Sequence, residues 1–389
     1  MSVGLTFRAV TTSIRYYATR IRSKPSFDLG TFASRSLKIC DGKRLSALRP
    51  FFWHEHASRI RDGAWYSASR LREELTTQRQ AELRPLFVRE LRDAYLVDGS
   101  IYLGSKLRVE LRSASARGNS LRRRSILPVR PHLECSEATL VSGVAGSTWF
   151  GHWLVDELPL QMLASDFGLP ISHLRPDHRD EPSYRQVLNL KPPERVGTAR
   201  VSRLRIVDEF AQNASKIRRY WKIRDHFRQR KGEGHRVFIS RGHWGTPRAM
   251  QNEAELQERF RTEGFSIFEM ATSSFSDILN VLNGASVVVS VEGSHLTHAL
   301  FMMADYGSMI ILNPPERTLT VLADLAPYFG LSAAMFICTP GPDGSFSANE
   351  HELLRFIDAA TVDHRARRSE VDHFLDSIRD VPILAPVWR

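Results

Sequence analysis

Between Ala285 and Met303 the chain changes its periodicity within a few residues. Ser286–Val291 is a short β-branched run, which predicts a strand buried on both faces. Glu292-Gly293-Ser294 interrupts it, and from there Leu296, Ala299, Leu300 and Met303 recur at helical spacing. The pattern predicts strand, tight glycine turn and helix, a corner that aims unpaired backbone N–H groups at one point and suits a phosphate or carboxylate. The plainer alternative is an ordinary βα corner.

The segments around it alternate in the same way. His235–Arg241 reads as a strand that delivers Arg241 to its C-terminal end, with Arg248 in the loop beyond. Asn252-Glu253 opens a helix to about Arg261, Phe265–Met270 is a strand, and Ser273-Ser274 caps a helix to about Asn283. Ser308–Asn313 is a further strand ending at Pro314-Pro315. Alternating strands and helices predict a parallel, Rossmann-like sheet.

Upstream, 71–91 is expected to be helical, and 94–97 with 100–103 forms a hairpin across Asp98-Gly99. Residues 112–130, with Arg117 and Arg122-Arg123-Arg124, read as a solvated loop. A strand over 138–144 leads to Trp149–Leu160, where His152 and Asp156 lie one helical turn apart and Pro159 demands a bend or break. Residues 175–193 are polar and proline-rich, and 200–207 is a strand. The basic helical stretch 216–231, with Trp221 and Phe227 interleaved, reads as the passage between two lobes, and 349–378 as a helical tail. The expected division is an extension over 1–90, an N-terminal lobe over 91–225, a C-terminal lobe over 226–345 and the tail over 346–389.

Composition narrows the chemistry. The chain has 389 residues, 42% of them hydrophobic, and a net charge of +11. That charge suits phosphate, anionic lipid or nucleic acid, or simply solubilises the surface. The three scattered cysteines, Cys40, Cys135 and Cys338, fit neither a disulfide framework nor a zinc site. His54 and His56 lack a third ligand nearby, so packing is the expected role. Asn213-Ala214-Ser215 is a glycosylation sequon, given no weight because the chain shows no secretory signal. No apolar run is long enough to span a bilayer. Arg8, Arg15, Arg20, Arg22 and Lys24 precede the first acid, Asp28. This basic start reads as a frayed tail, a transit peptide or an arm for an anionic membrane surface.

One ordered set carries a resemblance: Gly151-His152-Trp153-Leu154-Val155-Asp156-Glu157-Leu158-Pro159, Arg236–Arg241, Arg248, Asn252-Glu253, Gly264-Phe265, and Glu292-Gly293-Ser294 running to Leu300-Phe301. Over about 93–313 the chain resembles glycosyltransferase family 61, whose bacterial members include proteins of capsular polysaccharide biosynthesis. The resemblance implies an α/β chain of GT-B type, two Rossmann-like lobes with a cleft between them. It also implies a nucleotide-sugar donor as co-substrate, a glycan or lipid-linked glycan acceptor, and transfer with inversion. On this reading Arg241, Arg248, Glu292, Gly293, Ser294 and His295 lie on the donor side. Asp156 is the expected catalytic base, with His152 and Glu157 as competitors. The single glycine of the turn, where many relatives carry several, leaves the donor open.

Inverting transfer needs a base for the acceptor hydroxyl and positive charge for the leaving diphosphate. No Asp-x-Asp occurs in the chain, so fixed arginines are expected in place of a metal clamp, and no cofactor is expected. The expected location is cytoplasmic, peripheral at the inner membrane face. Two other readings remain open: a catalytically silent glycan- or nucleotide-binding relative, and a basic nucleic-acid binder, against which stands the lack of any recognition signature.

Overall fold

The structure, a computed structural model, describes residues 29–64, 66–77, 80–97, 100–103, 107–109, 131–227, 234–241, 248 and 250–383. The basic N-terminal residues, the Asp98-Gly99 turn, the arginine triplet and 228–233 lie outside them. The chain divides into two units. The first comprises the described residues within 1–43, 83–219 and 382–389, and the second those within 44–82 and 220–381.

In the first unit β1 (Arg35–Cys40) is followed by the long β4 (Leu86–Val97); β2 (Lys43–Ser46), helix α1 (Ala68–Thr76) and β3 (Gln80–Leu83) come between them in the chain and fall almost wholly in the second unit. The helix expected over 71–91 therefore ends at Thr76, and its second half is strand. Leu, Arg and Glu there are good helix formers, but β4 pairs antiparallel with β1 and with β10 (Thr198–Val207), and this pairing overrides local preference. Its first residues alternate between buried and half-buried, the period of a strand.

The hairpin is present: β4 pairs antiparallel with β5 (Ser100–Leu103), which pairs with β6 (Leu107–Val109). On the other side β10, β7 (Leu133–Leu140), β8 (Leu169–His173) and β9 (Glu194–Val196) run parallel. The strand expected over 138–144 starts and ends earlier, at Leu133 and Leu140. The polar stretch 175–193 holds a helix, α2 (Glu181–Val187), on a buried charge network of Arg175, Arg185 and Glu181. Helix α3 (Ala214–Phe227) follows β10, and the division between the units falls within it.

The second unit holds a five-stranded sheet in the order β12-β11-β13-β14-β15, with every neighbour parallel. These are β11 (Arg236–Ser240), β12 (Phe265–Glu269), β13 (Val287–Val291), β14 (Ser308–Asn313) and β15 (Ser332–Ile337). Helices α4 (Glu253–Thr262) and α5 (Phe275–Leu282) make the first crossovers. Ser274 closes a capping box with Asp277 at the start of α5. β13 and β14 are buried at every position, which is why Val-Val-Val-Ser-Val and Ser-Met-Ile-Ile-Leu-Asn lack alternation. Two helices, α7 (Glu350–Ala366) and α8 (Arg368–Arg379), complete this unit.

The chain is thus α/β with parallel sheets, as its alternating pattern implies. The second unit is the all-parallel, Rossmann-like one. The first is mixed, because β1, β4, β5 and β6 pair antiparallel. No described helix is long and apolar enough to cross a membrane.

Candidate functional site

In the first unit the site is built on one irregular helical run. Phe150–His152 is α-helical, Trp153–Glu157 is π-helical, and Leu158–Ala164 is α-helical again. Pro159 explains the irregularity. It lacks an N–H, and its ring crowds the carbonyl one turn back, so the widened turn relieves the clash without breaking the run. Leu158 N–H bonds to Trp153 O, the longer reach of a π-turn.

This turn sets His152 and Asp156 in contact, His152 Nδ1 lying 2.8 Å from Asp156 Oδ2. The other oxygen, Oδ1, accepts a 2.5 Å bond from Lys216 Nζ, and Lys216 also donates to Glu209 O at 3.2 Å. Lys216 is fully buried on α3, brought there by Asn213, whose Oδ1 caps the helix by accepting Lys216 N–H at 2.8 Å. The sequon asparagine is therefore a buried cap.

Burial would raise the Asp156 pKa, but the Lys216 charge and the His152 bond outweigh it and hold the carboxyl below the usual range. An ionised carboxylate only accepts, so His152 carries its proton on Nδ1. Nε2 is left as the ring's lone-pair nitrogen on a side chain 36% exposed.

Glu157 points elsewhere. Its Oε1 accepts Gly143 N–H at 2.6 Å, and Oε2 lies 3.6 Å from Arg175 Nη2. A Cβ on Gly146 would sit 2.4 Å from the Glu157 carboxyl, so only glycine fits against it. His178 Nε2 bonds Gly146 O at 2.8 Å and pins the same loop. Burial raises Glu157 to about 8, against the pull of the Gly143 N–H and Arg175.

Because the folded pKa is raised from 4.5, the protonated carboxyl favours the fold, fully below about pH 4.5 and progressively less up to about pH 8. Glu157→Gln keeps an acceptor and stays neutral. We expect the stability difference to move in its favour by roughly 4 kcal/mol as pH rises from 5 to 8.5, at about 1.4 kcal/mol per pKa unit. Thermal melts across that range check it, and parallel curves would mean that Glu157 is already ionised beside Arg175.

Asp156, Glu157, Gly143, Gly146, Glu209 and Phe210 line one pocket of about 80 Å³. Of the cations of α3, Lys222 is exposed and Arg218 half-buried, but three do not face outward as a nucleic-acid surface would require. Lys216, Arg219 and Arg224 are buried on Asp156, Glu209 and the Leu300 and Met303 carbonyls with Asp305.

The second unit carries the other cluster. In a parallel sheet of this order, the connections leave in opposite directions from β11 and β13, and their C-terminal ends flank the crevice where such sheets bind ligands. Arg241 follows β11, and Glu292-Gly293 follows β13. Arg241 Nη1 donates to Glu292 O at 3.0 Å, while Arg248 Nη2 lies 3.1 Å and Arg317 Nε 3.5 Å from Glu292 Oε2.

Burial raises the pKa of Glu292, against the pull of Arg317 and Arg241. A Cβ on Gly293 would lie 2.8 Å from His295 Nδ1, 2.9 Å from Arg248 Nη1 and 3.0 Å from Arg241 Nη1. The glycine is there for space. Arg248 is 6% exposed, and its Nε and Nη1 are buried without a hydrogen-bond partner. Two guanidinium groups thus converge on the turn, and Arg248 brings unused donor capacity.

The turn does not feed a long helix. Ser294–Leu296 is a 3-10 turn and α6 (Thr297–Met302) is short, so the arginines, more than a helix dipole, supply the positive field. Ser294 is exposed, its carbonyl accepting from Thr297 Oγ1 at 2.5 Å. His295 Nε2 lies 2.8 Å from Ser290 Oγ, which donates to Ile239 O at 2.8 Å, so the ring is the donor and Nδ1 its lone-pair nitrogen. Burial, with the charges of Arg241 and His298, lowers His295 to about 3.

Sequence reasoning missed Lys216, Arg317 and Tyr66. Arg61 N–H bonds Pro315 O at 2.9 Å and seats the loop before Tyr66 on the Pro315–Arg317 turn. The Tyr66 hydroxyl is buried without a partner, and burial and the Glu292 charge raise its pKa. Asn252 makes no helix cap. Its amide pairs with the Ala348 backbone, and Glu253 accepts from Ser240 Oγ at 2.9 Å. His56 is buried against Glu352 at 3.1 Å, and no described group of three or more His, Cys, Asp or Glu could hold a metal ion.

Residues 150–309 match the family described as Glycosyltransferase 61, a span that contains His152, Asp156, Lys216, Arg241, Arg248 and Gly293 but not Gly143, Gly146, Tyr66 or Arg317. No curated protein matches the chain.

Proposed function

We propose, from the match of residues 150–309 to glycosyltransferase family 61, that the chain is an inverting, metal-independent transferase of that family. It moves a sugar from a nucleotide-sugar donor to a glycan or lipid-linked glycan acceptor. The donor diphosphate lies on the Gly293 turn against Arg241 and Arg248, and the first unit activates the acceptor. A GT-B arrangement of the two units, a cytoplasmic location at the inner membrane face and a role in capsular or other surface polysaccharide synthesis belong to the same proposal.

The observation that carries it is the convergence of two guanidinium groups, half-buried Arg241 and the 6% exposed side chain of Arg248, on a glycine at the switch point of a parallel sheet. In the reaction His152 Nε2 takes the acceptor O–H proton, and the acceptor oxygen forms its bond to the anomeric carbon. The bond from that carbon to the diphosphate oxygen breaks, its electron pair leaving with the phosphate toward the arginines. Asp156 holds the tautomer and stabilises the imidazolium. This assigns proton removal to His152 rather than Asp156, whose two oxygens are engaged and whose lowered pKa makes it a weak base. Glu157, tied to Gly143 and buried, holds the loop.

The test is a thermal-shift panel of uridine, guanosine, cytidine and adenosine diphosphates, followed by turnover of the matching nucleotide sugars in EDTA. We expect one nucleotide to stabilise the protein selectively and its sugar ester to be consumed without added metal. Selective binding without turnover would leave a silent relative, and stabilisation by none would sink the proposal.

A further inference from the structure

Of the exposed large hydrophobic side chains among the described residues, only Trp149 and Phe210 are aromatic, 39% and 47% exposed. They come from different elements, one just before the His152 run and the other after β10. Both reach the same imidazole. The Trp149 ring lies 5.8 Å from that of His152, tilted by 51°, and the Phe210 ring lies 6.4 Å away, within 18° of parallel. Phe210 also lines the pocket that holds Asp156 and Glu157.

Exposed aromatic rings cost solvation and need a reason when they cluster. Their common neighbour is the group assigned above to take a proton from a sugar hydroxyl, and that assignment is the one premise borrowed here. We propose that Trp149 and Phe210 form the platform for the acceptor sugar, stacking against the C–H face of a pyranose and turning its hydroxyl edge to His152 Nε2.

The surroundings specify an uncharged ring. Lys216 and Arg219, which reach this wall from α3, are engaged by Asp156 and Glu209, while Asp208 on the pocket rim is half exposed. An acidic or phosphorylated sugar would meet the Asp208 carboxylate, which Arg89 balances only at 3.7 Å, and two cations already engaged, whereas a neutral one meets apolar faces and hydrogen-bond acceptors.

The experiment uses the full chain and saturation-transfer NMR with methyl glucoside, methyl galactoside, methyl N-acetylglucosaminide and methyl glucuronide. The wild type is compared with Trp149→Ala/Phe210→Ala and with Trp149→Phe. Both rings are exposed, so the variants should fold, which melting curves check. We expect a neutral glycoside to be saturated most strongly on its ring C–H protons and the glucuronide weakly. The double variant should lose the signal, Trp149→Phe should keep it, and acceptor KM should rise roughly tenfold per ring with donor KM unchanged.

Absence of glycoside saturation in the wild type, saturation that survives in the double variant, or preference for the glucuronide would overturn the platform. So would ring-dependent binding to phosphatidylcholine vesicles without glycoside binding, which would make the rings a membrane contact. Nucleotide binding and donor consumption, measured on the same samples, report on the transferase reading separately: they can persist while the platform fails, and the reverse.

Discussion

His152→Ala should lower kcat by about 10²–10⁴-fold, the usual worth of a positioned general base, while the affinity for nucleoside diphosphate stays as in the wild type. Exogenous imidazole should restore part of the rate. Asp156→Asn should come close to the same loss by a different route. Lys216 Nζ, buried and already bonded to Oδ1, will claim the amide oxygen. The amide NH₂ then faces the imidazole and must be met by a bare Nδ1, which moves the ring proton to Nε2 and removes the base.

Asp156→Asn also strips a buried cation of its counter-charge, a cost of about 3–5 kcal/mol. The double variant Asp156→Asn/Lys216→Met should recover most of that stability and none of the rate, which separates the two roles of the carboxylate. The acid limb follows from the lowered Asp156 pKa: the contribution of this cluster is present above the carboxyl's ordinary value and is lost only as pH falls through its depressed one. Should His152→Ala keep most of the rate while Asp156→Asn loses it, the carboxylate itself would be the base.

Much of the second unit is readable along the chain because its elements are locally determined. Val287–Val291 is uniformly apolar except for Ser290, Ser274 caps α5 three residues before its partner Asp277, and Gly293 breaks the run where a phosphate turn would. The first unit is harder. β4 carries Leu, Arg and Glu, good helix formers, and becomes a strand through its pairing with β1, β5 and β10, the last more than a hundred positions away. The same distance hides the partners in the site. His152 and Asp156 advertise their contact by spacing, but nothing near Asp156 points to Lys216, and nothing near Glu292 points to Arg317 or Tyr66. The available signal was position: in a stretch read as basic and as the passage between two lobes, Lys216 lies three residues after Asn213 and beside Ile217 and Tyr220, which are fully buried.

Gly293→Ala tests the other half of the chemistry with one methyl group. Its Cβ would sit within 3.0 Å of guanidinium nitrogens from both Arg241 and Arg248 and 2.8 Å from His295 Nδ1. The backbone there is extended, so alanine is not strained, and the three groups that must yield are side-chain ends. The fold should lose little, whereas the anion cradle loses both its volume and its aim. Each charge-assisted bond is worth about 1.5–3 kcal/mol, so displacing two should weaken diphosphate binding by 100-fold or more. Arg248→Lys should lose roughly tenfold, because a point charge cannot replace a fork whose Nη2 holds Glu292 while its Nη1 faces the turn. Calorimetric titration with inorganic pyrophosphate beside the nucleotide separates the cradle from base recognition: both ligands should weaken by similar factors. Equal affinity of Gly293→Ala and wild type for pyrophosphate would mean that the diphosphate binds elsewhere, and the three arginines around Glu292 would then be a structural ion cluster.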